Sequence, residues 1–421
     1  MSIYTGAKLL KWHYSIQNIE LLVPEEEPYS IPTDRIVSIN ILDDYEVNVF
    51  PIFKVEMILE SSIYYKIMKY KNDVQFHLRI QKYYNLNDSS VKSLSRDVIN
   101  DTFNLILDDD NSDLIASQRQ LEDKNDFKYI KQDDTNNPSK VDNKIEFYLF
   151  KSKIVKGLQK NINKIFTMCT ISDVLAYILS YSDVNNILMT TPHNITKYNS
   201  FIIPPLSCIK ALRFIDTYYG IYKTGSMMYF GLDYSYILSY EGKCTAYRKN
   251  EIKNTAVVVP KQSGSHTTEC GTLYKGENNN TNYIVGDYRT ISIRNDSISN
   301  EVISSNDIKL VDNISGNISY NSNNNDSENM YKILENNTEN PWLGDMYVSQ
   351  TNALNTVIEI LLMDYDINMI SPNKKFNLIF EDPNLTDKYN GVYLLTYASH
   401  TFIKDGSDFV LNSVVRFKKT N

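Results

Sequence analysis

Phe201 to Tyr240 reads FIIPPLSCIKALRFIDTYYGIYKTGSMMYFGLDYSYILSY. Pro204 and Pro205 close an extended run and are placed to open a helix, where a missing N–H costs nothing. Leu206, Ile209, Leu212, Ile215 and Tyr219 then recur at spacings of three and four, the stripe of an amphipathic helix. Gly220 supplies the left-handed stop. Ile221 and Tyr222 follow, then a turn at Lys223-Thr224-Gly225 and the aromatic run Met228-Tyr229-Phe230. Asp233 opens a second short strand, Tyr236 to Tyr240. The stretch reads as a short helix feeding a hairpin, with Leu212 and Phe214 as core positions. It carries no charged pair, histidine cluster or phosphate loop, so it is expected to pack rather than to react.

Working outward, residues 151–250 form the mixed helix–hairpin module that contains this unit. Thr170 and Asp173 make a capping box with Asp in place of the usual Glu, ahead of an apolar face at Val174, Leu175, Ile178 and Leu179. Upstream, residues 1–150 read as a β domain. Strands are expected at Arg35–Ile41, Val47–Leu59, Val98–Leu107 and Lys144–Phe150, and a short helix capped by Ser61 or Ser62. Val74 to Gln81 alternates without error, one face for a core and one for water or an interface. An acidic, polar insertion spans 108–143. Downstream, 251–345 is polar and Asn-rich, with short strands at Thr255–Val259 and Tyr283–Arg294 and a loop or linker around Asn321–Asn325. Residues 346–421 form a second β domain. Thr356–Leu362, Lys375–Phe380, Gly391–Phe402 and Asp408–Lys418 are separated by turn signals, as in an antiparallel meander. The fold class is therefore α+β, mostly β.

Bulk properties limit the function classes. The 421 residues suffice for several domains with their own cores. A net charge of −8 argues against a nucleic-acid surface as the main business. The 32 tyrosines suit large interfaces, although AT-rich codons would enrich Asn, Ile, Lys and Tyr equally. The first residues, MSIYTGAKLLKWHY, lack the continuous apolar core of a signal peptide. No run reaches the roughly 18 apolar residues of a membrane span. Synthesis in a cytoplasm, without membrane insertion, is the expectation.

The search for chemistry yields no catalytic, cofactor-binding or metal residue. Cys169, Cys208, Cys244 and Cys270 are too far apart for a metal knuckle or redox pair, and the first two read as buried thiols in helical contexts. His13, His77, His193, His266 and His400 lack a second histidine at ligand spacing. His77 and His400 fall on strands, as surface or satisfied residues. Gly264-Ser265-His266 reads as a flexible loop. Asp108-Asp109-Asp110-Asn111-Ser112-Asp113 invites a calcium reading, but the glycine and the distal Glu of an EF-hand are missing, which favours a solvated acidic turn.

Several stretches resemble baseplate hub proteins of contractile-tailed bacteriophages and related injection machines. They are Ile202-Ile203-Pro204-Pro205, Ala211-Leu212-Arg213-Phe214-Ile215-Asp216, Tyr219-Gly220-Ile221-Tyr222 and Tyr229-Phe230-Gly231-Leu232-Asp233. The helix Ile171 to Leu179 fits the same pattern. So do Pro372-Asn373-Lys374-Lys375-Phe376, Gly391-Val392-Tyr393 and a last strand pair with His400 and Phe409. The likeness covers the module and the C-terminal domain, and residues 1–150 by fold expectation. It implies two tail-tube-like antiparallel β-barrel or sandwich domains and a homotrimeric ring of pseudo-sixfold symmetry. The implied partners are a hexameric tail tube or its initiator, a trimeric central spike and a tape-measure protein, in the tail baseplate of a virion assembled in the host cytoplasm. Two other classes stay open: a tail-associated peptidoglycan hydrolase, which needs an acid or nucleophile in a cleft, and a host-surface adhesin.

Overall fold

The computed structural model describes residues 8–70, 73–84, 93–107, 142–232, 234–239, 254–259, 271–274, 282–295, 308–311, 317–320, 340, 342, 354–372, 374–406 and 408–419. The acidic run Asp108–Asp113, the Gly264-Ser265-His266 loop, the Asn321–Asn325 run, Cys244 and Cys270 lie outside them.

The first part of the chain forms β1 (Lys8–Leu10), β2 (Trp12–Leu22), β3 (Tyr29–Ser30), β4 (Ile36–Asp44), β5 (Ile52–Glu60), helix α1 (Ser61–Tyr70), β6 (Gln75–Tyr84), β7 (Ser93–Leu107) and β8 (Asp142–Phe150). The middle forms α2 (Ser152–Gln159), β9 (Asn161–Cys169), α3 (Ile171–Tyr181), β10 (Ile187–Met189), β11 (Tyr198–Ser207), α4 (Cys208–Phe214), β12 (Ser226–Phe230) and β13 (Ser235–Ser239). The rest forms β14 (Asn254–Val259), β15 (Gly271–Tyr274), β16 (Asn282–Asn295), β17 (Ile308–Val311), β18 (Asn317–Tyr320), β19 (Leu354–Met363), β20 (Lys375–Phe380), α5 (Pro383–Tyr389), β21 (Gly391–Asp405) and β22 (Asp408–Lys419). The protein is mostly β.

The strand pairings close two circuits. The first runs β21–β4–β5–β8–β7–β6–β2–β22 and returns to β21, antiparallel throughout. The second runs β21–β20–β14–β16–β19–β22 and returns to β21, with β14 parallel to both neighbours. Closing a sheet removes its open edges. The hairpin β21–β22 belongs to both circuits. The four C-terminal strands are antiparallel as expected but do not form a simple meander. β19 pairs with β22, not with β20, and its other edge pairs with β16, which closes the second circuit.

Period-two alternation builds the interiors. Phe53, Val55, Met57 and Leu59 on β5 and Phe76, Leu78 and Ile80 on β6 are buried, and Phe53 meets Phe103 edge to face at 5.1 Å. On β22, Phe409, Leu411, Val415 and Phe417 are buried in one alternating series. Phe417 packs on Phe376 of β20 at 5.2 Å, so one strand feeds both interiors. β21 changes partner midway: Gly391–Leu394 pair with β20 and Tyr397–Ile403 with β4. Its register against β22 shifts between Leu395 and Tyr397, a bulge of the kind that bends a strand between sheets.

The module has its own core, in which Val174, Leu175, Ile178, Leu179, Leu212, Ile215 and Tyr222 are buried. The capping box is present: Thr170 N–H donates to Asp173 Oδ2 at 2.9 Å, and Asp173 N–H to Thr170 Oγ1 at 3.4 Å. Three details depart from expectation. Pro204 and Pro205 lie in β11, and the helix begins only at Cys208. Their missing N–H groups fall where the register against β9 shifts, between Ile203 and Leu206, a place where a sheet tolerates proline. Residues 161–169 form a strand, so Cys169 ends β9 while remaining buried. Leu212 is buried, but Phe214 is half-buried and stacks on Tyr218 at 5.2 Å. Beyond α4 a π-helical turn, Ile215–Tyr219, stops at Gly220, whose φ is +73°. Asn340, far along the chain, donates from its amide to the Asp216 and Thr217 carbonyls at 3.2 Å.

Candidate functional site

Close to the place where β21 passes from one circuit to the other lies a cluster of buried polar groups. Asp43 comes from the end of β4, His400 from β21, Ser413 from β22 and Tyr365 from the turn after β19. His400 Nδ1 lies 2.9 Å from Ser413 Oγ and 3.0 Å from the Tyr365 hydroxyl, and its Nε2 lies 3.7 Å from Asp43 Oδ2. The Tyr365 hydroxyl donates to Ser413 Oγ at 3.1 Å. Asp43 also accepts from the Tyr229 hydroxyl of β12, which ties the module to the barrels. Tyr229 meets Tyr45 edge to face at 4.9 Å, and Phe230 N–H donates to the Val49 carbonyl at 2.8 Å.

A second layer flanks the first. The Tyr14 hydroxyl donates to the Tyr365 carbonyl at 2.7 Å and accepts from Ile367 N–H at 3.0 Å. Its ring packs edge to face on Phe402 at 5.2 Å. Lys82, almost fully buried, pairs with Asp366 at 2.5 Å and lies 5.0 Å over the Trp12 ring. Burial sets the charges here. It raises the Asp43 carboxyl to about 6, against the pull of the Tyr229 and Tyr45 hydroxyls, and lowers the His400 imidazole to about 4. His400 is therefore neutral at pH 7.

Ser413, His400 and Asp43 follow one another in the order of nucleophile, base and acid. Yet Ser413 is 1% and His400 3% exposed, and the imidazole nitrogen facing Ser413 is shared with Tyr365. A substrate carbonyl cannot reach this hydroxyl. What the arrangement does is bind segments hundreds of residues apart into one geometry, because each buried polar group is unsatisfied unless all are in place. Of these residues only His400 was singled out in the sequence. Asp43, Tyr365 and Ser413 carried no local signal, since their partners lie far away in the chain.

Two other surfaces bear on function. β6 turns Gln75, His77, Arg79 and Gln81 outward, opposite its buried face. They are held across the sheet by β7: Arg79 to Asp97 at 3.0 and 3.3 Å, Gln81 to Asp97 at 2.7 Å, and His77 beside Thr102 at 3.2 Å. Beside this face lies a polar cleft of about 720 Å³, lined by Gln75, Asp101, Asn104, Lys151 and Lys156 among others. Lys151 bridges it by pairing with Asp101. No group of three His, Cys, Asp or Glu side chains able to hold a metal ion occurs among the described residues, and no described helix is long and apolar enough to cross a membrane.

A search of curated proteins returned no match. Among solved structures the chain is similar to the tail protein from Neisseria meningitidis MC58, at 8% identity and TM-score 0.44, covering 97% of each chain. It is similar to the 43 kDa tail protein of prophage MuSo2 from Shewanella oneidensis, at 9% identity and TM-score 0.44, covering 95% of this chain and 97% of that one. It is also similar to the E. coli c3393 protein, described as a component of the type VI secretion system, at 6% identity and TM-score 0.40, covering 95% and 77%. The family model described as Bacteriophage PBS1 gene 109 protein matches residues 4–420, nearly the whole chain, and the protein belongs to that bacteriophage family.

Proposed function

We propose that this protein is the structural hub of a tail baseplate, three copies of which form a ring joining a hexameric tail tube to a trimeric central spike. The observation that carries the reading is the pair of closed strand circuits sharing one hairpin. Two tube-like barrels per chain give six similar units in a ring of three, which matches sixfold symmetry on one face and threefold on the other. For that match the angle between the barrels must be the same in every copy, and the Asp43–His400–Ser413–Tyr365 cluster holds that angle. The polar faces of β6 and of β21, with Tyr397, Ser399 and Thr401, line the lumen in this reading. The role is mechanical, with no catalytic residue, cofactor or metal, and the tube, the spike and a tape-measure protein are the partners.

Electron microscopy of the assembled particle with symmetry left free tests this. A threefold ring at the tube–spike junction, with both circuits around the lumen, is expected. Six copies there, or a place on the outer fibres, overturns it.

A further inference from the structure

The central helix of the module ends unusually. After α4 the chain widens into the π-helical turn Ile215–Tyr219, and Gly220 N–H donates back to the Ile215 carbonyl at 3.0 Å. A helix C-terminus leaves its last carbonyls without partners in its own ladder, and single π-helical turns occur frequently at functional sites. Here two asparagine side chains take those carbonyls. Asn194, 3% exposed, comes from the loop between β10 and β11 and donates to the Tyr219 and Gly220 carbonyls at 2.9 and 3.1 Å. Asn340, 1% exposed, donates to the Asp216 and Thr217 carbonyls at 3.2 Å.

The two asparagines differ in origin. Asn194 belongs to the module and stays with it. Asn340 stands 124 positions from Asp216, outside the module and ahead of β19, the strand that pairs with β16 and β22 in the second circuit. Its carboxamide is held in shape: Oδ1 accepts from Trp342 N–H at 3.0 Å while the nitrogen faces the two carbonyls. Gly220 makes the room. Its φ is +73°, and a Cβ there would stand 2.7 Å from Asn340 Cγ, closer than side chains pack. Other ties of the module run to the first circuit and its loops: Tyr229 to Asp43, Phe230 to Val49 and Lys151 to Asp101. Asn340 ties it instead to the segment that leads into the second.

We propose that Asn340 is a latch, seated on the end of the π-helical turn, that fastens the module to the lead-in of the second circuit and opens without unfolding either circuit. The seat suits a carboxamide. Two carbonyls side by side need two N–H donors, and Asn offers both on one nitrogen while its oxygen accepts from Trp342. With the latch closed, the module is held from both circuits; with it open, from the first alone. Opening returns polar groups to water and leaves the apolar cores in place, so it costs less than global unfolding. The latch works within one chain, whether or not copies form a ring.

Native-state hydrogen exchange of the full chain tests this, each variant being read on the opposite side of the contact. Gly220→Ala leaves Asn340 and Trp342 unaltered but fills the seat, and should speed exchange of Trp342 N–H about tenfold or more. Asn340→Ala should do the same to Gly220 N–H. Amides of β6, β21 and β22 should not change in either variant. Thr170→Ala weakens the module away from the seat and should leave Trp342 N–H as it is. In the unaltered chain, exchange of Trp342 N–H should be insensitive to low urea, whereas that of β21 and β22 accelerates. Asn340→Asp, which keeps the size and loses the donors, serves if Gly220→Ala does not fold. An unchanged amide opposite either substitution, or a urea dependence at Trp342 equal to that of β21 and β22, overturns the latch.

Discussion

The hairpin β21–β22 and the ribbon β9–β11 are both pairs of antiparallel strands, yet they live by opposite rules. The hairpin has neighbours on both sides, buries its alternate residues and hides a polar cluster at its bend. Among the described residues the ribbon has no further strand on either side, and it turns Ile165 and Ile202 to solvent. The difference teaches where each is expected to act. A sealed pair decides whether one copy folds with the correct barrel angle. The outer face of an open pair adds little to that fold.

The largest effect should come from the sealed side. Tyr14→Ala removes a fully buried ring, its contact with Phe402 and two hydrogen bonds. Loss of about 3–5 kcal/mol is expected in urea denaturation. A loss under about 1 kcal/mol would mean that the junction is not the clamp described here.

The second prediction separates two opposing titrations at the bend. The Asp43 carboxyl sits at about 6 in the folded protein, above its ordinary value. Its contribution is present at low pH and is lost as pH rises through about 4 to 6. The His400 imidazole sits at about 4, below its ordinary value. Its contribution is present above about 6.5 and is lost as pH falls toward 4. The two slopes oppose each other across the same window, and stability of the native chain should change little there. In Asp43→Asn only the histidine term remains. The variant should lose up to about 3 kcal/mol between pH 6.5 and 4 relative to its own value at pH 7. Parallel pH profiles for the two proteins would contradict the burial of His400 beside Asp43.

A smaller, local effect belongs to the module. Thr170→Ala deletes the capping side chain at the start of α3 and should cost about 1 kcal/mol, read from the shift in the denaturation midpoint. The smallest belongs to the open pair. Ile165→Lys should change the stability of the isolated chain by under about 0.5 kcal/mol, because the side chain is already exposed. A large destabilisation would show that the ribbon's outer face is covered within one chain and would dissolve the contrast drawn above.

What could be read from the chain alone is whatever depends on near neighbours. The alternation of Val74 to Gln81 set the faces of β6, Thr170 and Asp173 set the start of α3, and Gly220 set the stop after the helix at the centre of the module. Each works through contacts within a few residues, so its signal is local. The mostly β class and the resemblance to tail proteins follow from such signals. Tertiary structure alone decided the rest. It turned Pro204 and Pro205 from a helix start into part of a strand, because β9 supplied a partner whose bulged register needs no N–H at that point. It made β19 pair with β22 across the second circuit. It brought Asp43, Tyr365, His400 and Ser413 together, a cluster whose members are meaningless one by one. Ring closure and burial are properties of partners far apart along the chain, and no short window of residues contains them.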